Sequence, residues 1–200
     1  MKFRIKKWNQ LSTAKKAFRI IDIVAIFYLV VLGSFVVRAE VTAKTNTERL
    51  FLINSPLLFK VLNPTSGNAL GATLPFVNIG FLNRSKIDEL NENIDNIRRH
   101  EAKHLEQFQT LGPIKAFQLE NWKSEGIAEY ARGSSTIDIC ATTPVGTEAQ
   151  LDYREYHTVV KYLIESEKLT EEDIYALDSY PLKFAQKWVA EKHCTMLVIE

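Results

Sequence analysis

Residues 94–113 read IDNIRRHEAKHLEQFQTLGP, and the organisation of the chain follows from them. Apolar side chains recur at Ile87, Leu90, Ile94, Ile97, Leu105 and Phe108, the 3–4 alternation of one helix face. Ser85 to Asp88 resembles a capping box with Asp in place of Glu or Gln, and Gly112-Pro113 is a stop signal. The spacing therefore predicts one helix from Ser85 to Leu111. Position 101 belongs on the apolar stripe, yet it is Glu101, and it lies between His100 and His104. A charged residue where packing asks for an apolar one marks this turn for something other than packing.

His100-Glu101-Ala102-Lys103-His104 has the pattern H-E-x-x-H. Histidines four apart lie one turn from each other on the same face, so both can reach one tetrahedral metal ion. The intervening Glu101 is displaced enough not to ligate, but near enough to take a proton from a metal-bound water. The bland alternative is a solvated face of a charge-rich helix. At this composition, about 0.007 matches are expected by chance, so coincidence does not account for the motif. A catalytic zinc site needs a third protein ligand and an open fourth position.

Twenty residues on, Asn121 to Tyr130 read NWKSEGIAEY. Trp-x-x-Glu-Gly-x-Ala-x-Tyr after H-E-x-x-H resembles the gluzincin metallopeptidases, above all small bacterial members whose second helix reads W-x-x-E-G-x-A-E-Y. The resemblance covers Arg99 to Arg132 well and the flanks loosely. It implies Zn2+ as cofactor, Glu125 as third ligand, and Glu129 as an outer carboxylate that orients a ligand histidine. It also implies peptide-bond hydrolysis of a peptide or protein substrate, with Glu101 as the base. A Tyr or His on the helix after the Glu helix would stabilise the oxyanion. Tyr153, Tyr156 and His157 qualify, and Tyr156 with His157 is the preferred pair. Each tyrosine also fits an ordinary amphipathic core position. At about 160 residues after its N-terminal segment, the chain lacks the large C-terminal lobe of thermolysin-like enzymes. A rival reading keeps zinc but not turnover, as a zinc-stabilised non-catalytic surface module; another is an anchored helical interaction protein without metal.

Helix geometry adds a constraint that is independent of the resemblance. At 1.5 Å per residue, an unbroken return helix from Pro113 carries Glu125 ~18 Å back, past the histidines. For antiparallel helices that is an overshoot, so either the two cross steeply or part of 113–121 is not regular helix; the second is expected, with the metal-facing helix starting near Asn121. Around this centre, Thr73–Asn83 (TLPFVNIGFLN) reads as a strand, an edge strand by Pro75, along which an extended peptide could pair. Asn63–Asn68 reads as a turn, and Thr136–Cys140 as a short strand. Trp122–Arg132 and Leu151–Lys168 read as helices, as do a short segment opened by the box at Thr170–Asp173 and a last one from Leu182 to His193.

The amino terminus is different in kind. Ile20–Val37 (IIDIVAIFYLVVLGSFVV) carries one charge, Asp22, and is just long enough to span a bilayer. It follows seven Lys/Arg, so the positive-inside rule keeps the N-terminus cytoplasmic and exports the rest, to the periplasm or outside the cell. A retained anchor and a cleaved signal peptide both fit. Phe51–Leu62 (FLINSPLLFKVL) is apolar too, as a core segment or as a patch resting on the membrane. The 46% apolar and 24% charged composition excludes a disordered or multi-span chain. Charge totals +1, but residues 41–200 alone sum to −5, which argues against nucleic acid as a partner. Cys140 and Cys194 fall in the exported part, where a single disulfide is possible. The expected protein is α+β: a mainly helical zincin-like domain (41–200) with a small edge β-sheet, after one transmembrane or signal helix (1–40).

Overall fold

A computed structural model describes residues 13–64, 67–135 and 137–194. The basic residues before Thr13, Thr65 and Ser66 of the predicted turn, and Thr136 of the predicted short strand lie outside the described residues. The architecture is mainly helical α+β with one small open sheet.

Helix α1 (Thr13–Thr42) is long and apolar enough, over Lys15–Thr42, to cross a membrane, a property shared by anchors and signal sequences. Its side chains from Lys15 to Val30 are largely exposed, but its last turns are not: Val31, Leu32, Phe35 and Val36 pack onto the domain and Ala39 is buried. The helix thus runs past residue 40 into the domain. A 3-10 turn (Asn46–Arg49) leads to β1 (Leu50–Ile53), then α2 (Pro56–Leu62), whose N-cap Ser55 accepts from the Leu58 amide. The segment 51–62 is therefore a strand and a helix.

The predicted strand Thr73–Asn83 is instead a hairpin. β2 (Gly71–Leu74) and β3 (Ile79–Asn83) pair antiparallel, and the turn between them includes Pro75 and Asn78 at φ 50°. Proline cannot donate to a ladder and the positive φ reverses the chain. β1 pairs parallel to β3, giving the order β1-β3-β2. Alternation along the strands separates two cores: Ile53, Ile79 and Phe81 face α1 and α2, while Leu50 and Leu82 face Ile97 and Leu105.

The helix expected from Ser85 to Leu111 is two. α3 (Arg84–Glu89) is capped by Asn83, which accepts from the Lys86 amide, while Ser85 Oγ donates to the Asn54 carbonyl 3.1 Å away. The chain breaks at Asn91 (φ 52°), and α4 (Ile94–Leu111) restarts under an Asn93 cap. After Gly112, α5 (Pro113–Gln118) is a short helix rather than an irregular link; extended Leu119 and Glu120 turn the chain and α6 (Asn121–Arg132) begins at Asn121. No strand forms at 137–140. α7 (Glu148–Glu165) starts three residues before Leu151 under a Thr147–Gln150 capping box. α8 (Glu171–Ala176), with its Thr170–Asp173 box, and α9 (Leu182–Lys192) complete the chain. Trp122, Ile127, Val159, Val160, Leu163, Ile174 and Ala185 form the core of this helical half, and a Cys140–Cys194 disulfide ties α9 to the loop before α7.

Candidate metal centre

α4 and α6 bring the three sequence-predicted ligands to one point. His100 Nε2 and His104 Nε2 stand 3.1 Å apart, and each lies 3.4 Å from Glu125 Oε2. Three ligand atoms at ~2.0–2.1 Å from a tetrahedral zinc ion stand ~3.3–3.4 Å from one another. The donor set and its spacing therefore fit that ion. His100 and His104 are nearly fully buried.

Each ring nitrogen that faces away has a side-chain oxygen 3.0 Å from it. His104 Nδ1 is 3.0 Å from Gln107 Oε1, which also accepts from Ser124 Oγ, while Gln107 Nε2 donates to the Ser124 carbonyl. His100 Nδ1 is 3.0 Å from Glu129 Oε1, close but not aligned for a good hydrogen bond. Glu129 lies beside Arg132, which pairs with Glu92 at 2.6 Å. Acceptors at both Nδ1 positions put the proton there and leave the two Nε2 lone pairs pointing inward. Gln107 escaped the sequence reading. Its signal was modest: a polar residue three after His104, on the helix face that is otherwise buried.

Charge balance around the trio is set by the carboxylates. Burial disfavours a charged imidazole at His100, yet the Glu125 and Glu129 carboxylates beside it and the Glu101 charge outweigh it, and its pKa is pushed up to about 10. Burial lowers His104 in the same way and Glu125 reverses it, for a net rise. Burial raises Glu125, but the His104 charge and hydrogen bonds from both imidazoles hold it well below the usual carboxylate range. A divalent cation would compete with protons for these atoms, so its uptake releases protons and weakens as pH falls.

Glu101 sits beside the trio, 7% exposed, its pKa raised first by burial. Its carboxylate lies against the backbone of β2 at Gly71, where any β-carbon would come within 2.6 Å of Glu101 Cγ and Cδ. Gly71 is the second residue that sequence reasoning missed, because nothing local marks which strand will cross Glu101. Two clefts of about 370 and 600 Å³ share Gly71, His100, Glu101 and Tyr153 in their walls. β2 is an edge strand, and Ala72 and Thr73 line the smaller cleft.

The preferred oxyanion pair is not brought to the cleft. Gly126 lets α7 approach α6 so closely that a β-carbon there would be 2.9 Å from the Tyr156 carbonyl. With α7 seated in this way, Tyr153 faces the site, its ring centroid 6.4 Å from that of His100. Burial and then the charges of Glu125 and Glu101 raise its phenol, so it stays a donor. Tyr156 lies outside it, between the rings of Tyr153 and Tyr180. His157 lines a separate polar cleft of about 570 Å³ with Tyr130, Ser135 and Glu165.

The chain matches no protein-family model, no curated protein and no solved structure.

Proposed function

We propose that this chain is a membrane-anchored zinc peptidase of the gluzincin type, hydrolysing peptide bonds on the extracytoplasmic side. The observation that carries the reading is the trio of ligand atoms, 3.1 to 3.4 Å apart, with a buried non-ligating glutamate beside it. His100, His104 and Glu125 would hold the ion, which when bound would polarise the scissile carbonyl and acidify a water molecule. Glu101 takes one proton from the attacking water onto its carboxylate and returns it to the leaving nitrogen, so that the elements of water are added across the C–N bond. The Tyr153 phenol donates to the carbonyl oxygen as negative charge develops on it. An extended substrate pairs with the free edge of β2, which sets the bond to be cut beside Glu101.

Placement rests on two further features. Lys15, Lys16 and Arg19 precede the apolar run of α1, which keeps that end cytoplasmic. The Cys140–Cys194 bridge belongs to an oxidising compartment.

Zinc content of the full chain in detergent, with His104→Ala and Glu125→Ala beside it, tests the ligand set. About one zinc per chain, lost in both variants, is expected. A peptide-library screen then follows, with Glu101→Gln expected to keep zinc and lose turnover. Absence of bound zinc after reconstitution would overturn the reading. Zinc without any turnover would favour the non-catalytic module.

A further inference from the structure

After α1 the chain folds back along it. Arg49 meets Glu40 at 2.7 Å, the Phe51 ring lies 4.9 Å from that of Phe35, and the cluster containing Phe59 and Leu62 of α2 is covered by Val31, Leu32, Phe35 and Val36. β1 thus descends as α1 ascends, and α2 lies beside the last two turns of the apolar run rather than beyond its end.

Length then becomes decisive. A bilayer core of ~30 Å takes ~20 helical residues at 1.5 Å each. Arg19 and Arg38 bound the apolar run Ile20–Val37, which at 1.5 Å per residue spans ~27 Å. Only Ile20 to Val30 stand clear of the domain, enough for ~16 Å. The remaining hydrocarbon depth coincides with the turns of α1 that pack on the domain, where α2 also lies.

The outward face of α2 suits that depth. Leu57 is 74% exposed and Val61, one turn on, is 38% exposed. The helix carries a single charge, Lys60, whose stem can lie along lipid while its ammonium reaches the headgroups. α3 opens at the same level on the other side of the sheet, where Ser85 Oγ meets the Asn54 carbonyl, and its pairs Arg84–Asp88 and Lys86–Glu89 reach the headgroups with α1 tilted, as spans ordinarily are by ~20°.

We infer that α2 is seated in the extracytoplasmic leaflet alongside α1, with Leu57 and Val61 against acyl chains, so that the domain is held flush with the bilayer and not on a stalk. The inference rests on the reading of α1 as a retained anchor. The partner it commits to is the lipid surface.

Single cysteines at Val24, Leu57, Val61 and Glu172 in the full chain, spin-labelled in vesicles of phosphatidylcholine and phosphatidylglycerol in equal parts, test it. Both native cysteines are in the disulfide, so each variant adds one reactive thiol. Collision with oxygen against collision with a water-soluble nickel chelate reports depth. Labels at positions 57 and 61 are expected to give an oxygen-to-nickel ratio several-fold above that at 172, and below that at 24. A lipid-like ratio at 24 with aqueous ratios at 57 and 61 overturns the seating of α2 and leaves the anchor intact. Aqueous ratios at all four positions remove the anchor reading and this inference together.

Discussion

Gly71→Ala probes the site at its tightest point. The added β-carbon would stand 2.6 Å from Glu101 Cγ and Cδ, whereas carbon pairs rest ~3.5–4.0 Å apart. About 1 Å of movement must therefore be found. The β2 backbone is held in its ladder to β3, so the yielding group is the Glu101 side chain. The three atoms nearest to such a β-carbon all belong to Glu101. The variant should bind zinc with wild-type stoichiometry while its base is displaced. Misplacing a reacting group by ~1 Å costs on the order of 100-fold in rate. Crowding itself should lower stability by about 1–3 kcal/mol. Zinc analysis, a thermal melt and kcat on a peptide selected by wild type check the three parts. Because both changes act on one group, Gly71→Ala combined with Glu101→Gln should be no slower than Glu101→Gln alone. A Gly71→Ala enzyme with full zinc and wild-type kcat would refute the reasoning, since Glu101 would then not need the place where the structure puts it.

The outer partners of the histidines give a second expectation: Gln107→Leu and Glu129→Gln should each weaken zinc binding by roughly 10–100-fold, read by competition with a chelator of known affinity. Burial holds the His157 pKa down to about 4. The unfolded imidazole, near 6.5, then takes up a proton that the folded one refuses, so stability is intact above about pH 6.5 and falls towards pH 4, by roughly 3 kcal/mol at most. Urea midpoints across this range should fall less steeply in His157→Asn than in wild type; parallel curves would refute it. The Cys140–Cys194 bridge closes a 54-residue separation, so Cys140→Ser with Cys194→Ser should lose about 2–4 kcal/mol, measured as a lower denaturant midpoint. Tyr153→Phe should slow turnover by on the order of 100-fold with zinc content unchanged, whereas Tyr156→Phe should leave turnover near wild type.

Much of the centre was legible because helical geometry is local. Four residues are about one turn, so His100 and His104 had to share a face, and Glu129 had to follow Glu125 on the same side of α6. Rise per residue favoured a break before α6 and a start near Asn121, although the stretch before it coiled into α5. Length and hydropathy likewise marked α1. Other features depended on contacts between distant segments. Thr73–Asn83 has the residues of a strand, and the reversal at Pro75–Asn78 followed from Pro75 and from Asn78 adopting a positive φ. Leu90 continued the apolar stripe, so the break at Asn91 was invisible to periodicity.

Tyr153 and Tyr156 show where local information ends. Residues three apart on α7 point to nearly the same side, so their spacing could not say which would reach His100. That was decided by how far α7 slides along α6 before it seats, and Gly126 sets the seat against the Tyr156 turn. The same holds for Gly71, whose missing side chain matters only because β2 crosses Glu101, and for the two cysteines, which meet only once α9 has docked. The sequence by itself determined the candidate ligand types, their helical spacing and the apolar helix. The crossing of elements, governed by close packing of side chains from distant parts of the chain, decided which phenol, which glycine and which amide complete the site.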